Sequence, residues 1–177
     1  MIAFFITCII MIVIGLAYLG NDRSRSSGLS GYQKEKGGLN NPGFLVTSSA
    51  GWVGAETPNS YYHFENFDTL QHGIRAWYIN LYGKVRKGVI NNTNQMIDIL
   101  TPVGENAENA RNNYKASVAQ ANNWLELGRR VFDFEANPQW KLCSNKSTVL
   151  QQGAQMAFDY LKKKYNLSGV PQYTLKP

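Results

Sequence analysis

The chain opens with a continuous apolar run and continues as a polar sequence in which apolar residues recur at regular intervals. Residues 2–19 (IAFFITCIIMIVIGLAYL) contain no charged side chain, and as a helix they would extend roughly 27 Å, close to the hydrocarbon thickness of a bilayer. A cleaved signal peptide needs a basic region and a small-residue cleavage site, and neither flanks this run. A core helix that is apolar on all sides is rare in a small domain. The pattern therefore predicts one transmembrane anchor over residues 1–20.

The residues after this run divide into a short linker and one domain. Residues 21–36 combine Gly, Ser and charged side chains without periodicity, which is typical of a flexible tether. Residues 37–177 form a segment of ordinary single-domain length. Because Arg23 and Arg25 follow the apolar run and no basic side chain precedes it, the positive-inside rule favours the domain on the cytoplasmic side of a cell membrane.

Within the domain, the apolar pattern predicts four helices. The first carries apolar residues at helical spacing from Leu70 to Val85 and ends at Gly88, with Asp68 and Gln71 at the separation of a capping box. The others are expected over 93–100, from about 105 to 125, and from about 148 to 165, the last with Thr148 and Gln151 as its cap and partner.

The segment before the first helix, residues 37–68, is rich in Gly, Pro and aromatic residues and has no helical period. It favours an irregular region with a short hairpin that pairs Phe44–Val46 with Tyr61–Phe64. The fold class expected is therefore mainly α, or α+β with a small irregular, short-β region.

Composition limits the chemistry available to the chain. The 177 residues include two cysteines, Cys8 and Cys143, and two histidines, His63 and His72, at spacings that match no metal site. We expect no metal and no cofactor. The formal charge of +6 favours a polyanionic neighbour, but no basic stripe interleaved with aromatics is present, so no specific nucleic-acid partner is expected.

Carboxylate chemistry remains, since the chain has twelve acidic residues. An enzyme that cleaves glycosidic bonds needs a carboxyl group able to protonate the leaving oxygen. Glu65 lies between Phe64 and Phe67, an apolar setting, and Glu105 stands near a predicted helix start, where capping is the main alternative role.

Five short motifs then follow one another in a recognisable order. They resemble a family of bacteriophage virion proteins described as structural or lysozyme-like, peptidoglycan-degrading proteins. The resemblance covers residues 38 to about 120. The motifs are Gly38-Leu39-Asn40-Asn41-Pro42-Gly43-Phe44, Gly51-Trp52-Val53-Gly54, Phe64-Glu65-Asn66-Phe67-Asp68, Gly73-Ile74-Arg75-Ala76, and Pro102-Val103-Gly104-Glu105-Asn106 before Tyr114.

The resemblance implies a lysozyme-like domain, similar to that of lytic transglycosylases, in which a single acid acts within an aromatic-lined cleft. Three glutamates compete for the catalytic role, and five residues are candidates for substrate binding. The catalytic candidates are Glu105, Glu35 and Glu65; the binding candidates are Trp52, Tyr61, Tyr62, Trp77 and Asn41.

The chain also departs from the family pattern. Family members carry an Asn and an Arg after the Pro-Gly pair, where this chain has Phe44 and Val46. They also often end their last helix in Glu-Asn-Gly, whereas residues 159–166 here contain no Glu. If that glutamate is catalytic in relatives, this domain is an inactive descendant or Glu35 replaces it.

The expected function is that of a membrane-anchored virion protein acting on host peptidoglycan as the phage enters or leaves the cell. The alternative is a catalytically inactive structural protein that links an internal virion membrane to the capsid. A cellular membrane-tethered module that binds wall polymer or nucleic acid is a third reading. The expected partners are a lipid bilayer, peptidoglycan and capsid proteins. The expected location is the virion membrane, single-pass, and the host membrane during assembly.

Overall fold

A computed structural model describes residues 40–56, 64–101, 108–134 and 138–177. Several predictions fall outside these ranges: the anchor over 1–20, the tether over 21–36, and the site candidates Glu35, Tyr61, Tyr62 and Glu105. Among the residues described, no helix combines the length and the apolar character that crossing a bilayer requires.

The described part of the chain is mainly helical, as the sequence predicts. Its β structure consists of isolated bridges rather than strands. The helices are α1 (Leu70–Arg86), α2 (Thr93–Leu100), α3 (Glu108–Val118), α4 (Trp124–Phe132), α5 (Pro138–Lys141) and α6 (Lys146–Tyr165).

The first two helices occupy the predicted ranges, but the cap of α1 is a different residue from the one expected. The Thr69 hydroxyl accepts a hydrogen bond from the backbone N–H of His72 at 3.3 Å. Asp68 stands one residue too early to do this, and its carboxylate instead lies 2.5 Å from Nδ1 of His72. The prediction of Asp68 as the cap was therefore wrong.

The prediction of one helix from about 105 to 125 was also wrong. α3 ends at Val118, and a turn separates it from α4, whose N-cap Asn123 accepts from the backbone N–H of Glu126 at 2.9 Å. Ala121 is buried in the turn between them, so the apolar period continues while the helix does not.

The last helix begins earlier than expected, and one helix was not predicted at all. α6 starts at Lys146 with Asn145 as a cap residue that makes no side-chain cap bond, so Thr148 lies inside the first turn. α5 has four residues, too few for a helical period to be visible in the sequence.

The domain is built around α1 and α6, which pack side by side in parallel. Gln71 at the start of α1 donates to Gln152 at 2.9 Å, and Tyr82 near its end lies 5.7 Å, ring to ring, from Tyr165. The helices approach closely at Gly153, where a Cβ would lie 2.7 Å from the Ile74 side chain. Both helices therefore end on the same side of the domain.

An aromatic cluster joins this pair to the other helices. Trp77 and Phe132 pack edge to face with ring centroids 5.1 Å apart, and Phe132 contacts Trp140 in the same way at 5.5 Å. The Tyr78 hydroxyl donates to the carbonyl of Trp124 at 2.7 Å, and burial raises the pKa of Tyr78 far above its usual range. α4 is thus held against α1 by both packing and a buried hydrogen bond.

The C-terminal segment after α6 packs against the starts of α4 and α2. Trp124 donates through Nε1 to the carbonyl of Pro171 at 2.8 Å, and its ring meets Tyr173 edge to face at 5.0 Å. The backbone N–H of Thr93 donates to the carbonyl of Lys176 at 2.9 Å, which fixes the chain end to the start of α2.

Two glycine-to-alanine changes in helices test the close approach of α1 and α6. Gly153→Ala places a methyl group into Ile74 and should lower the free energy of unfolding by about 1–3 kcal/mol, as overpacking does. Gly83→Ala is the matched control in α1, because a Cβ there meets open space, and it should raise stability by up to about 1 kcal/mol. Thermal melts of the full chain in detergent micelles, followed by circular dichroism, measure both; equal effects would contradict the packing described.

A carboxylate on α2 holds α3 by two charged contacts. Asp98 lies 2.5 Å from Nη2 of Arg111 and 2.7 Å from Nζ of Lys115. The hydrogen bond from Lys115 and the charges of both cations keep the pKa of Asp98 below its usual value of 3.8.

Because the pKa of Asp98 is lower in the folded chain, its contribution to stability is present above pH 3.8 and is lost as the pH falls through the folded-state value. The side chain is about half exposed, so we expect Asp98→Asn to cost at most about 1 kcal/mol near neutral pH. Melting temperatures of variant and parent should converge in strong acid. A difference that persists at the lowest pH would contradict the ion-pair origin.

Candidate functional site

The motifs that precede α1 fold into one layer of chain, residues 40–56 and 64–68, which we call the motif layer. It lies against the N-terminal half of α1. Asn40 adopts a left-handed conformation (φ 51°), and its Nδ2 donates to the carbonyls of Phe67 at 2.9 Å and Asp68 at 3.1 Å. The Asn40 carbonyl rests directly on Gly73, where a Cβ would collide with it. The glycine of the Gly-Ile-Arg-Ala motif thus accommodates the asparagine of the first motif.

Asn41 holds the centre of the motif layer. Its side chain is fully buried; it donates to the carbonyls of Leu45 at 2.9 Å and Glu65 at 3.0 Å, and accepts from the Leu45 N–H at 2.9 Å. Its backbone N–H donates to Oε1 of Gln139 on α5 at 2.7 Å. The substrate-binding role expected for Asn41 therefore competes with a structural one that uses its whole amide.

The residue after the Pro-Gly pair has an unusual backbone conformation. Phe44 has φ 49°, in the left-handed region that asparagine tolerates and bulky residues rarely adopt. Its ring lies 6.1 Å from that of Phe64, edge to face. An aromatic contact thus accompanies this turn.

The Gly-Trp-Val-Gly turn attaches the motif layer to the start of α1. Gly54 has φ 76° and packs directly on the His72 ring, and its carbonyl accepts from the Asp68 N–H at 2.9 Å. Antiparallel bridges link Val46 with Phe64, and Ala55 with Phe67. The predicted hairpin of 44–46 with 61–64 is represented, in the described residues, by the isolated bridge between Val46 and Phe64.

Glu65 is the catalytic candidate that the structure describes, and its carboxylate already has partners. The residue is 3% exposed, and Oε1 accepts from the Ser48 N–H at 2.9 Å and from the Ser48 hydroxyl at 3.2 Å. These bonds fasten residues 46–50, which are exposed, onto the buried end of the layer. In this geometry the carboxylate anchors a loop.

The two tryptophan candidates have different environments. Trp77 is 1% exposed and packs edge-on against Tyr78 and Phe132, so its ring belongs to the core and offers no face to a ligand. The reason is its position at the centre of α1, beneath Gly43. Trp52 is half-buried against the core and keeps part of its surface open. Of the candidates described, the structure brings Asn41 and Glu65 together.

A shallow, open groove of about 470 Å³ lies between the start of α1 and α6. Its walls are mostly amides and one thioether, with one carboxylate: Thr69, Gln71, Gln152, Gln155, Met156 and Asp159. Gln155 donates to Asp159 at 2.9 Å. Glu65 does not line this groove, and Asp159 belongs to the stretch where the resembling family carries its terminal Glu.

The sequence analysis did not predict this groove, although the polar residues of α6 that line it are visible in the sequence. Gln152, Gln155 and Asp159 recur at helical spacing on the polar face of α6, and such a polar stripe also describes an ordinary solvated helix. The partner wall, at Gln71, comes from α1, and only the parallel packing of the two helices brings the stripes together.

A buried cation lies one helical turn beyond the groove. Arg75 is 9% exposed, and its guanidinium lies 5.0 Å above the ring of Tyr160, the residue after Asp159. Burial lowers the pKa of Arg75, and none of the described carboxylates lies within ion-pair distance of it. A buried guanidinium without an ion pair is a suitable binding group for a ligand carboxylate.

Metal chemistry has no support in the described ranges, since no group of three or more metal-ligating side chains comes together there. Comparison with known proteins adds no identification: no family model, no curated protein and no solved structure matches this chain.

Three substitutions test whether Glu65 acts as a loop anchor. Glu65→Ala removes the acceptor of both hydrogen bonds from Ser48 and should lower the free energy of unfolding by about 1–3 kcal/mol. Glu65→Gln keeps an acceptor oxygen and should cost clearly less. Ser48→Ala removes only the hydroxyl bond and should cost about 0.5–1.5 kcal/mol. Urea unfolding of the full chain in micelles gives all three values; a harmless Glu65→Ala would contradict the anchoring role.

Proposed function

We propose that this protein is a membrane-anchored bacteriophage virion protein whose lysozyme-like domain acts on host peptidoglycan as the phage enters or leaves the cell. The observation that carries the proposal is the motif layer. Four of the five resembling motifs contact one another through hydrogen bonds and close glycine contacts, at Asn40, Asn41, Gly54 and Gly73. These contacts bring the motifs into one layer, and this common placement supports the proposal.

The groove offers groups that suit a peptidoglycan strand. Its amides pair with the acetamido groups of N-acetyl sugars, and Met156 gives the sugar rings an apolar surface. Arg75, one turn away, is placed for a carboxylate of the muramyl or peptide part. We therefore assign glycan binding to the groove between α1 and α6.

The chemical step in this proposal needs one acid. A protonated carboxyl group gives its proton to the glycosidic oxygen as the bond from the sugar carbon to that oxygen breaks. In a transglycosylase the substrate's own hydroxyl then bonds to that carbon and returns its proton to the carboxylate, so no second carboxylate is required. Glu35 and Glu105 remain candidates for this acid. Glu65 is the weaker candidate, because both hydrogen bonds to its carboxylate serve the loop at Ser48.

A second function has a specific observation in its favour. A structural virion protein that links the internal membrane to the capsid needs the same fold but no catalytic carboxyl group. The groove contains Asp159 as its one carboxylate among the described lining residues, and the last helix lacks the family's terminal Glu. In that case the domain binds the wall or the capsid and cleaves nothing.

Dye release from labelled peptidoglycan sacculi, with the full chain in mild detergent, tests catalysis. We expect release by the parent chain and a loss of at least about 100-fold in either Glu35→Gln or Glu105→Gln, as removal of a general acid produces. Glu65→Gln should retain most of the activity. Absence of release under conditions where a control lysozyme is active would exclude the enzymatic form of the proposal.

Co-sedimentation with unlabelled sacculi tests binding separately. Gln152→Ala, in the groove, should weaken binding by about 5- to 10-fold, the value of one lost hydrogen bond. Gln151→Ala is the matched control, because Gln151 precedes Gln152 on α6, is exposed and does not line the groove. Binding without release would favour the structural function. If the chain does neither, the assignment to peptidoglycan is wrong.

A further inference from the structure

The parallel packing of α1 and α6 brings two basic helix ends together. We call this surface the basic end; its cations are Lys84, Arg86, Lys87, Lys162, Lys163 and Lys164. All six are exposed or half-exposed, and none makes an ion pair with a described carboxylate. The chain segments here, 84–97 and 160–177, contain no Asp or Glu.

Cations commonly complement the negative end of a helix, and this effect accounts for only part of the basic end. Each helix C-terminus carries a partial charge of about −0.5, so two parallel ends supply about −1. The six side chains supply +6. Most of this positive charge has no ion-pair partner among the described carboxylates and is available to an external anion.

Aromatic and aliphatic groups accompany the charges. Arg86 lies 4.5 Å above the ring of Tyr165, and Lys164 lies 5.4 Å from that of Tyr160. Val89 is 52% exposed directly after α1, and Val170 is 58% exposed in the segment after α6. Cations beside tyrosines and exposed aliphatic side chains are the composition of a surface that rests at a membrane interface.

We propose that the basic end docks the domain onto an anionic bilayer surface. Phospholipid phosphates and anionic headgroups would meet the six cations, while Val89 and Val170 enter the boundary between headgroups and acyl chains. The exposed aliphatics favour a bilayer over a nucleic acid, whose backbone offers them no apolar partner. Near an anionic surface each basic residue contributes about fivefold to binding.

The bilayer is within reach of the basic end if residues 1–20 form the proposed anchor. The choice of a bilayer as the partner therefore rests on the proposed function. The chain enters the domain at Asn40, beside Gly73 near the opposite end of α1. α1 is about 25 Å long, whereas the residues from 21 to 39 extend up to about 60 Å. Docking would then point the motif layer away from the membrane.

The test uses the full chain reconstituted into liposomes, with Cys8 and Cys143 changed to Ser and an environment-sensitive dye on Val89→Cys. We expect a blue-shifted emission in vesicles of phosphatidylcholine with phosphatidylglycerol, and none in phosphatidylcholine alone. High salt should reverse the shift. A dye on Ser147→Cys, exposed at the start of α6, is the positional control and should respond to neither lipid.

Charge variants assign the effect to the basic end. The triple change Lys162→Gln, Lys163→Gln and Lys164→Gln should reduce the docked fraction by about tenfold or more. The control triple Arg129→Gln, Lys141→Gln and Lys146→Gln removes the same charge elsewhere and should leave docking unchanged. Equal loss in both triples, or an equal shift in neutral vesicles, would overturn the proposal.

Two further outcomes separate this inference from the proposed function. Flotation of the liposomes reports the anchor: a chain that fails to float lacks the span, whereas a chain that floats without a dye shift has the span and lacks docking. A dye shift produced by a DNA oligonucleotide and not by anionic lipid would assign the basic end to nucleic acid and overturn the docking proposal.

Discussion

The absence of a side chain at Gly153 governs the geometry of this domain, because it lets α6 lie directly on Ile74 and the backbone of Gln71. Parallel helices in close contact align their ends, and the amino acids at each end then form a common surface. At the beginning of the pair this surface is polar and carries the motif layer; at its end it is basic. A bulkier residue at one position would separate the helices and disturb both surfaces at once.

The motif layer depends on the same pair for its support but is held by different forces. Its interior combines the buried side chains of Leu45 and Phe67 with hydrogen bonds to backbone centred on Asn41, and it has almost no regular secondary structure. A segment of this kind has to satisfy its buried polar groups with side chains because it has no ladder to do so. This explains why asparagines and glycines stand beside aromatic residues in the motifs.

The sequence alone predicted the elements that have a strong period and missed the features that depend on tertiary contact. The bounds of α1 and α2 follow from apolar spacing, and so does the mainly α class. The break at Ala121 could not be seen, because an apolar residue stays in register while Asn123 starts a new helix. The burial of Trp77 could not be seen either, since a tryptophan at helical spacing suits a core and a cleft equally well.

The candidate site was less predictable than the fold for a related reason. Asn41 and Glu65 were recognisable as candidates, whereas Arg75 appeared only within a motif, and the role of each depends on which partners surround it. Glu65 has an apolar sequence neighbourhood, but its carboxylate meets Ser48, which is 17 positions away. The groove requires Gln71 and Gln152, 81 positions apart, to meet. The spacing of polar residues along α6 does not show that α1 supplies the other side of the groove.

The pairing of α1 with α6 also determines when the domain can fold during its synthesis. The contact at the centre of the domain joins Ile74 on α1 to Gly153 on α6, far later in the chain. α6 therefore leaves the ribosome well after α1, and the core cannot close before it emerges. If residues 1–20 form the proposed anchor, they would meet the insertion machinery while this core is still unfolded.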